Sequence, residues 1–241
     1  MTSADRDQNI ARQRRFWGER ARSWEHNAST NPGLMKVVDE VVRQSGTGST
    51  RAVVDLGAGT GQLALRLAPV SQSVLAVDVS TSMIKMLAEK ASAEGLNNVE
   101  SRVEAIEEME LAPQSVDLVV SNYALHHLRD QDKARLVVSI ARWLRPGGRL
   151  VIGDMMFGRG GQARDRQIIA SKVTVMLKRG PAGWWRIAKN SYRYLLRRQE
   201  RPISTDKWCQ YLTAAGFDSV MTFPVVAEAA VVTGVVPPSS G

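Results

Sequence analysis

The stretch VVDLGAGTGQLAL, Val53 to Leu65, sets a short apolar run against three glycines at alternate positions and then a row of helix formers. The run predicts a buried strand and the residues from Gln62 onward predict a helix. Gly57, Gly59 and Gly61 lack a Cβ, so the chain is free to turn sharply there and a ligand is free to approach the backbone. In a doubly wound sheet this first turn lies at the carboxyl edge, beside the topological switch point. The helix starting near Gln62 is expected to aim its N-terminal dipole at the ligand.

The residues around the turn narrow the ligand. A dinucleotide site asks for G-x-G-x-x-G, but here the third glycine comes one residue early and Gln62 holds the reserved position. Asp55, two residues before the first glycine, would sit badly beside a pyrophosphate and suits a cationic ligand instead. Asp78, ending the next apolar run, is placed to accept hydrogen bonds from both hydroxyls of a ribose. A nucleoside that carries positive charge and no phosphate meets all three conditions.

Outward from this unit, strands and helices alternate. Strands are predicted at Ala52–Leu56, Val74–Asp78, Val99–Val103, Val116–Ser121 and Gly148–Asp154, and helices from near Gln62, Ser82, Asp132 and Thr205. Short apolar strands separated by helices imply a parallel sheet covered on both faces. Two β-rich runs near the C-terminus, GFDSVMTFPVV and EAAVVTGVV, have too short a link for a helical crossover, so they pair as a hairpin. The fold class is therefore α/β: a Rossmann-like, seven-stranded, mostly parallel sheet with an antiparallel C-terminal strand at its end. Before the sheet, residues 5–30 read as one basic helix with Phe16, Trp17 and Trp24, closed by Asn31-Pro32-Gly33. A second helix runs from Leu34 to Gly46.

Composition bounds the class of protein. With 241 residues, 44% of them hydrophobic, the chain suits one domain with a sizeable core. Cys209 is the only cysteine, which excludes an internal disulfide and fits a reducing compartment. The polar N-terminus has no apolar signal core and no run reaches membrane-spanning length, so the expectation is a soluble cytoplasmic protein. Arg159–Arg201 holds twelve basic residues against two acidic ones, a net of +10 that exceeds the +8 of the whole chain. The basicity thus belongs to a single insert.

These segments together resemble class I S-adenosylmethionine-dependent methyltransferases, in particular the broad group acting on quinone-pathway intermediates and secondary metabolites. VVDLGAGTG resembles the first motif, LAVDVS the acidic ribose motif, SVDLVVSNYALHHL the fourth-strand motif, and RWLRPGGRLVIGD the fifth-strand motif. STDKWCQYLTAAGF is similar to the helix entering strand six. The resemblance implies one domain over residues 1–241: an N-terminal helical cap (1–46), a cofactor-binding core (51–154), a basic insert or lid (159–201) and a C-terminal helix with hairpin (205–237). It implies S-adenosylmethionine as cofactor, held by Asp55, Gly57, Ala58, Gly59, Gly61, Asp78 and Val79, with Asn122 at the methionine end and Trp24 shielding the sulfonium. The family's usual adenine-binding Asp is replaced by Ala105, which leaves that contact to the Ile106 backbone N–H and to Glu104.

Methyl transfer from a sulfonium is an in-line displacement, so the first demand is to hold the acceptor in place. A base is needed only where the acceptor loses a proton. His126 and His127 follow strand four at the catalytic edge; the resemblance favours His127 as catalytic, and packing or hydrogen bonding is the alternative for both. No Cys or carboxylate partner stands at ligand spacing, so no metal site is expected. Trp17, Asp154, Trp184 and Trp185 are the expected acceptor-binding residues, with loop capping the alternative for Asp154. The acceptor is expected to be a small, hydrophobic molecule. The insert reads as a solvated basic helix, as a face touching an anionic membrane, or as an RNA-binding face. The fourth-strand motif reads Asn122-Tyr123-Ala124 rather than Asn-Pro-Pro-aromatic, which argues against nucleobases.

Overall fold

In the computed structural model of the chain, seven strands form one sheet in the order β3-β2-β1-β4-β5-β7-β6. They are β1 (Ala52–Leu56), β2 (Ser73–Asp78), β3 (Val99–Val103), β4 (Val116–Asn122), β5 (Leu144–Met155), β6 (Asp218–Val226) and β7 (Ala229–Val235). The structure describes residues 3–46, 51–157, 170 and 201–238. The basic insert therefore lies outside the described residues, apart from Ala170 and Arg201.

Side-chain alternation along each strand explains the two-sided core. Val54, Val119, Ile152 and Val232 point to one face, where α6 (Asp130–Trp143) and α7 (Thr205–Ala214) bury Trp143, Trp208 and Leu212. Their neighbours Val53, Val120, Val151 and Val231 point to the other. There α3 (Pro32–Ser45), the single turn α4 (Ala64–Leu67) and α5 (Thr81–Ala93) cover them. The N-termini are capped where the sequence supplies an oxygen: Asn31 accepts from the Gly33 and Leu34 N–H groups, and Ser80 from that of Met83. Among the described residues, no helix is long and apolar enough to cross a membrane.

Three details differ from expectation. The basic N-terminal helix is two helices, α1 (Ser3–Gly18) and α2 (Ala21–Thr30). The break follows Gly18, a residue that favours the helix poorly, and it turns α2 back over the glycine loop. The antiparallel strand is β7, which lies between β5 and β6 rather than at the sheet edge, so that β6 closes the edge. And α4 spans only four residues from Ala64, so few peptide dipoles align behind the loop and the expected dipole contribution is small.

The sheet meets α3 at Gly153, where an added Cβ would stand 2.5 Å from Val41 Cγ2 and 2.9 Å from Val37 Cγ1. Gly153→Ala should therefore destabilise the fold by about 1–3 kcal/mol, seen as a lower denaturant midpoint with unchanged slope. An unchanged midpoint would mean that α3 shifts freely on the sheet.

Candidate active site

A cavity opens at the carboxyl edge between β1 and β4, where the strand order reverses. The glycine loop forms its floor. The N–H groups of Gly57 and Ala58 both donate to the Val77 carbonyl, at 2.8 and 2.9 Å, and this folds the loop against β2. Gly57 has φ +74°, and a Cβ there would lie 2.2 Å from that of Ala124, so only glycine fits. Gly61 has a packing role: its φ is +94° and a Cβ would come within 3.0 Å of Leu65 and Leu87. It is not among the residues lining the cavity.

Two carboxylates meet this loop. Asp55 is 1% exposed; its Oδ2 accepts from the Ala64 N–H at 3.1 Å while Oδ1 is buried with no hydrogen-bond partner. Burial, with a smaller push from Asp78, raises its pKa to about 7. Asp78 Oδ2 accepts from the Gly59 N–H at 3.0 Å and Oδ1 from that of Ser80 at 2.8 Å, and burial pushes its pKa up as well. Asn122 Oδ1, at the end of β4, is a second buried acceptor without a partner. Two orphan acceptors lining one cavity cost free energy unless a ligand supplies donors. A cation rich in N–H groups is what this corner fits.

The N-terminal helices close the cavity from above. Glu25 on α2 pairs with Lys90 of α5 at 2.5 Å and accepts from the hydroxyl of Thr60 in the loop, while Lys90 also reaches the Thr60 carbonyl at 3.2 Å. That pair places Trp24 on the wall. Trp17 of α1 meets Trp24 edge to face, with ring centroids 5.5 Å apart, and meets the His127 ring at 5.3 Å.

Next to this space lies a second cavity of about 190 Å³, lined by Phe16, Leu34, Met155, Arg12, Arg201 and His126 among others. Trp17, Trp24, Tyr123 and His127 line both. His126 is buried and its Nδ1 lies 2.5 Å from Asp154 Oδ1, while its backbone N–H donates to Oδ2 at 2.8 Å. The two histidine rings lie 4.0 Å apart, so the Asp154–His126 pair backs His127. Behind them the wholly buried Lys133 donates to the carbonyls of Leu128 and Arg201, both at 2.7 Å. Burial holds its pKa down.

The structure thus gathers most of the residues singled out in the sequence. Asp55, Gly57, Ala58, Gly59, Asp78, Val79, Ile106, Asn122, Trp24, Trp17 and His127 line the first cavity, and His126 the second. Ala105 is buried behind Ile106 and does not line it, and Glu104 turns to Arg102. Asp154 lines neither cavity; it accepts from the N–H groups of His126 and Met155 and meets the His126 ring. Trp184 and Trp185 lie outside the described residues. Sequence reasoning missed Gln13, Thr60, Met83, Glu107 and Tyr123 on the wall, and the Glu25–Lys90 pair. Partners 65 residues apart leave no local signal; only the apolar Met83, five residues past the predicted strand end at Asp78, sat close to a motif.

Comparison with known proteins agrees with this arrangement. Residues 53–148 match a family model described as a methyltransferase domain. The chain is 29% identical over 146 residues to phosphoethanolamine N-methyltransferase 1 of Triticum aestivum, a match covering 60% of this chain and 28% of that one. It is 31% identical over 168 residues to the uncharacterized methyltransferase C70.08c of Schizosaccharomyces pombe, covering 68% and 59%. The chain thus spans less than two thirds of these curated relatives. Among solved structures it is similar to DhpI bound to SAH, with a TM-score of 0.65, 20% identity, and 95% and 97% of the two chains covered. At that identity the likeness shows the fold.

The raised pKa of Asp55 makes a stability prediction. An unfolded Asp loses its proton near pH 3.9, whereas folded Asp55 keeps it to about 7. Between those values the native state binds the extra proton, so this group's contribution falls as pH rises from 4 to 7. Against Asp55→Asn, the wild type should lose on the order of 3–4 kcal/mol across that window. Denaturation curves of both proteins at pH 4.5 and 7.5 test it; parallel pH dependences would contradict the burial argument.

Proposed function

We propose, from the premise that residues 53–148 of this chain are a class I S-adenosylmethionine-dependent methyltransferase domain, that the protein transfers a methyl group from that donor to a small molecule with a hydrophobic body. The observation that supports this most is the corner made by Asp55 and Asn122, whose buried oxygens call for a donor-rich cation. The donor supplies a methyl group already activated by its sulfonium.

Everything else is positioning. Asp78 takes the two ribose hydroxyls with the acceptor sites left beyond its bonds to Gly59 and Ser80. Val79, Met83 and Ile106 provide an apolar slot for the adenine ring. Asp55 and Asn122 hold the ammonium of the amino-acid end. Trp17 and Trp24 exclude water from the sulfonium and face it with aromatic rings. The acceptor enters the second cavity, so its nucleophile meets the methyl group in the space the two share. His127 stands on that boundary and takes the proton where the nucleophile carries one. His126, fixed by Asp154, holds His127 in place from behind.

Calorimetry with S-adenosylhomocysteine tests the donor half: it should bind, NADH should give no heat, and Asp78→Ala should weaken binding at least about tenfold. Binding of NADH in place of the nucleoside would overturn the reading. For the acceptor half, transfer of labelled methyl to a panel of small phenols, acids and amines should lose about 10²–10⁴ in kcat with His127→Ala, while donor affinity stays the same. An unchanged kcat would remove His127 as the base.

A further inference from the structure

Among the described residues, the two cavities are lined by side chains of opposite charge. Asp55, Asp78 and Glu107 line the first, with no Lys or Arg among its described lining residues. Arg12 and Arg201 line the second, with no Asp or Glu among its described lining residues. Asp154 stands outside that lining, behind the His126 ring that it holds. An acidic cavity suits a cationic donor; the basic one beside it calls for the opposite sign.

We infer that the second cavity takes an oxyanion-bearing acceptor, a small molecule whose apolar body lies between Phe16, Trp17, Leu34 and Met155 and whose carboxylate or phosphate is held by Arg12 and Arg201. This rests on the methyl-transfer reading above and names the substrate class for it. Both arginines are placed by structure rather than by chance. Arg12 stands one helical turn before Phe16 on α1, so the two share a face, and it makes no ion pair among the described residues. The Arg201 backbone is clamped on both sides: its N–H donates to the His126 carbonyl at 2.6 Å and its carbonyl accepts from the buried Lys133 at 2.7 Å. The planar guanidinium fork matches carboxylate and phosphate oxygens in a bidentate way. An anion held there, with the body against the aromatic wall, points the far end of the molecule at His127 and the shared boundary.

The test uses the full chain saturated with S-adenosylhomocysteine, so that the donor cavity is filled, and ligand-observed NMR titrations with two pairs of probes: benzoate against benzamide, and phenyl phosphate against phenol. At least one anion should bind about tenfold or more tightly than its neutral counterpart. Arg12→Gln and Arg201→Gln should each weaken the anion by about the same factor, with Arg201→Lys in between, and affinity for the nucleoside unchanged. A lead for phenyl phosphate assigns a phosphate-type acceptor and a lead for benzoate a carboxylate. Neutral probes binding as well as the anions, failure of both anions to bind, or Arg variants indistinguishable from wild type would overturn the inference while the donor reading stands. Failure to bind S-adenosylhomocysteine overturns both.

Discussion

The structure turns on a carboxylate that the fold keeps dry and half-satisfied. Asp55 sits at the end of β1, under a loop that has given up side chains to pass close above it, and only one of its oxygens has a partner. Burying such a group costs free energy, a cost that a ligand supplying a hydrogen-bond donor would offset. Asn122 makes the same demand from β4. Because these two strands flank the switch point, the two unsatisfied oxygens are brought together by topology rather than by a local motif.

Around that corner the molecule is organised as a clamp. The cap meets the glycine loop through Glu25, Thr60 and Lys90, the end of the basic segment meets the β4 loop through Arg201 and Lys133, and the histidines lie between. Each contact joins elements that are remote in sequence and adjacent in space. The N-terminal helices are therefore part of the candidate site: Trp17 and Trp24 wall both cavities, and Arg14 reaches the carbonyl of Val79 on the wall of the first.

How much of this was legible follows from the range of the forces involved. β1 and β3 begin and end at the residues expected: β1 is buried on both faces and reads as an apolar run, while β3, at the sheet edge and partly exposed, is framed by Val99 and Val103. The hairpin of β6 and β7 was legible from its short link. Asp55, Asp78 and the glycines could be assigned because their roles depend on spacing within one turn. The break after Gly18 was not visible, because a glycine in a long polar helix is tolerated until tertiary contacts favour bending there. The Glu25–Lys90 pair, the Asp154–His126 pair and the burial of Lys133 are long-range contacts with no periodicity to betray them. Asp154 looked like a residue facing the acceptor, whereas the turn after β4 brings His126 over it.

The most direct measurement is proton release on binding S-adenosylhomocysteine, by calorimetry at pH 6 in phosphate and in Bis-Tris, buffers of different ionisation enthalpy. If the ammonium docks against Asp55, binding must drive off the proton that burial holds there, so the observed heat should differ between buffers by the equivalent of up to about one proton. That difference should vanish in Asp55→Asn. Equal heats in both buffers for the wild-type protein would contradict the account, because the buried carboxylate would then take no part in holding the ligand.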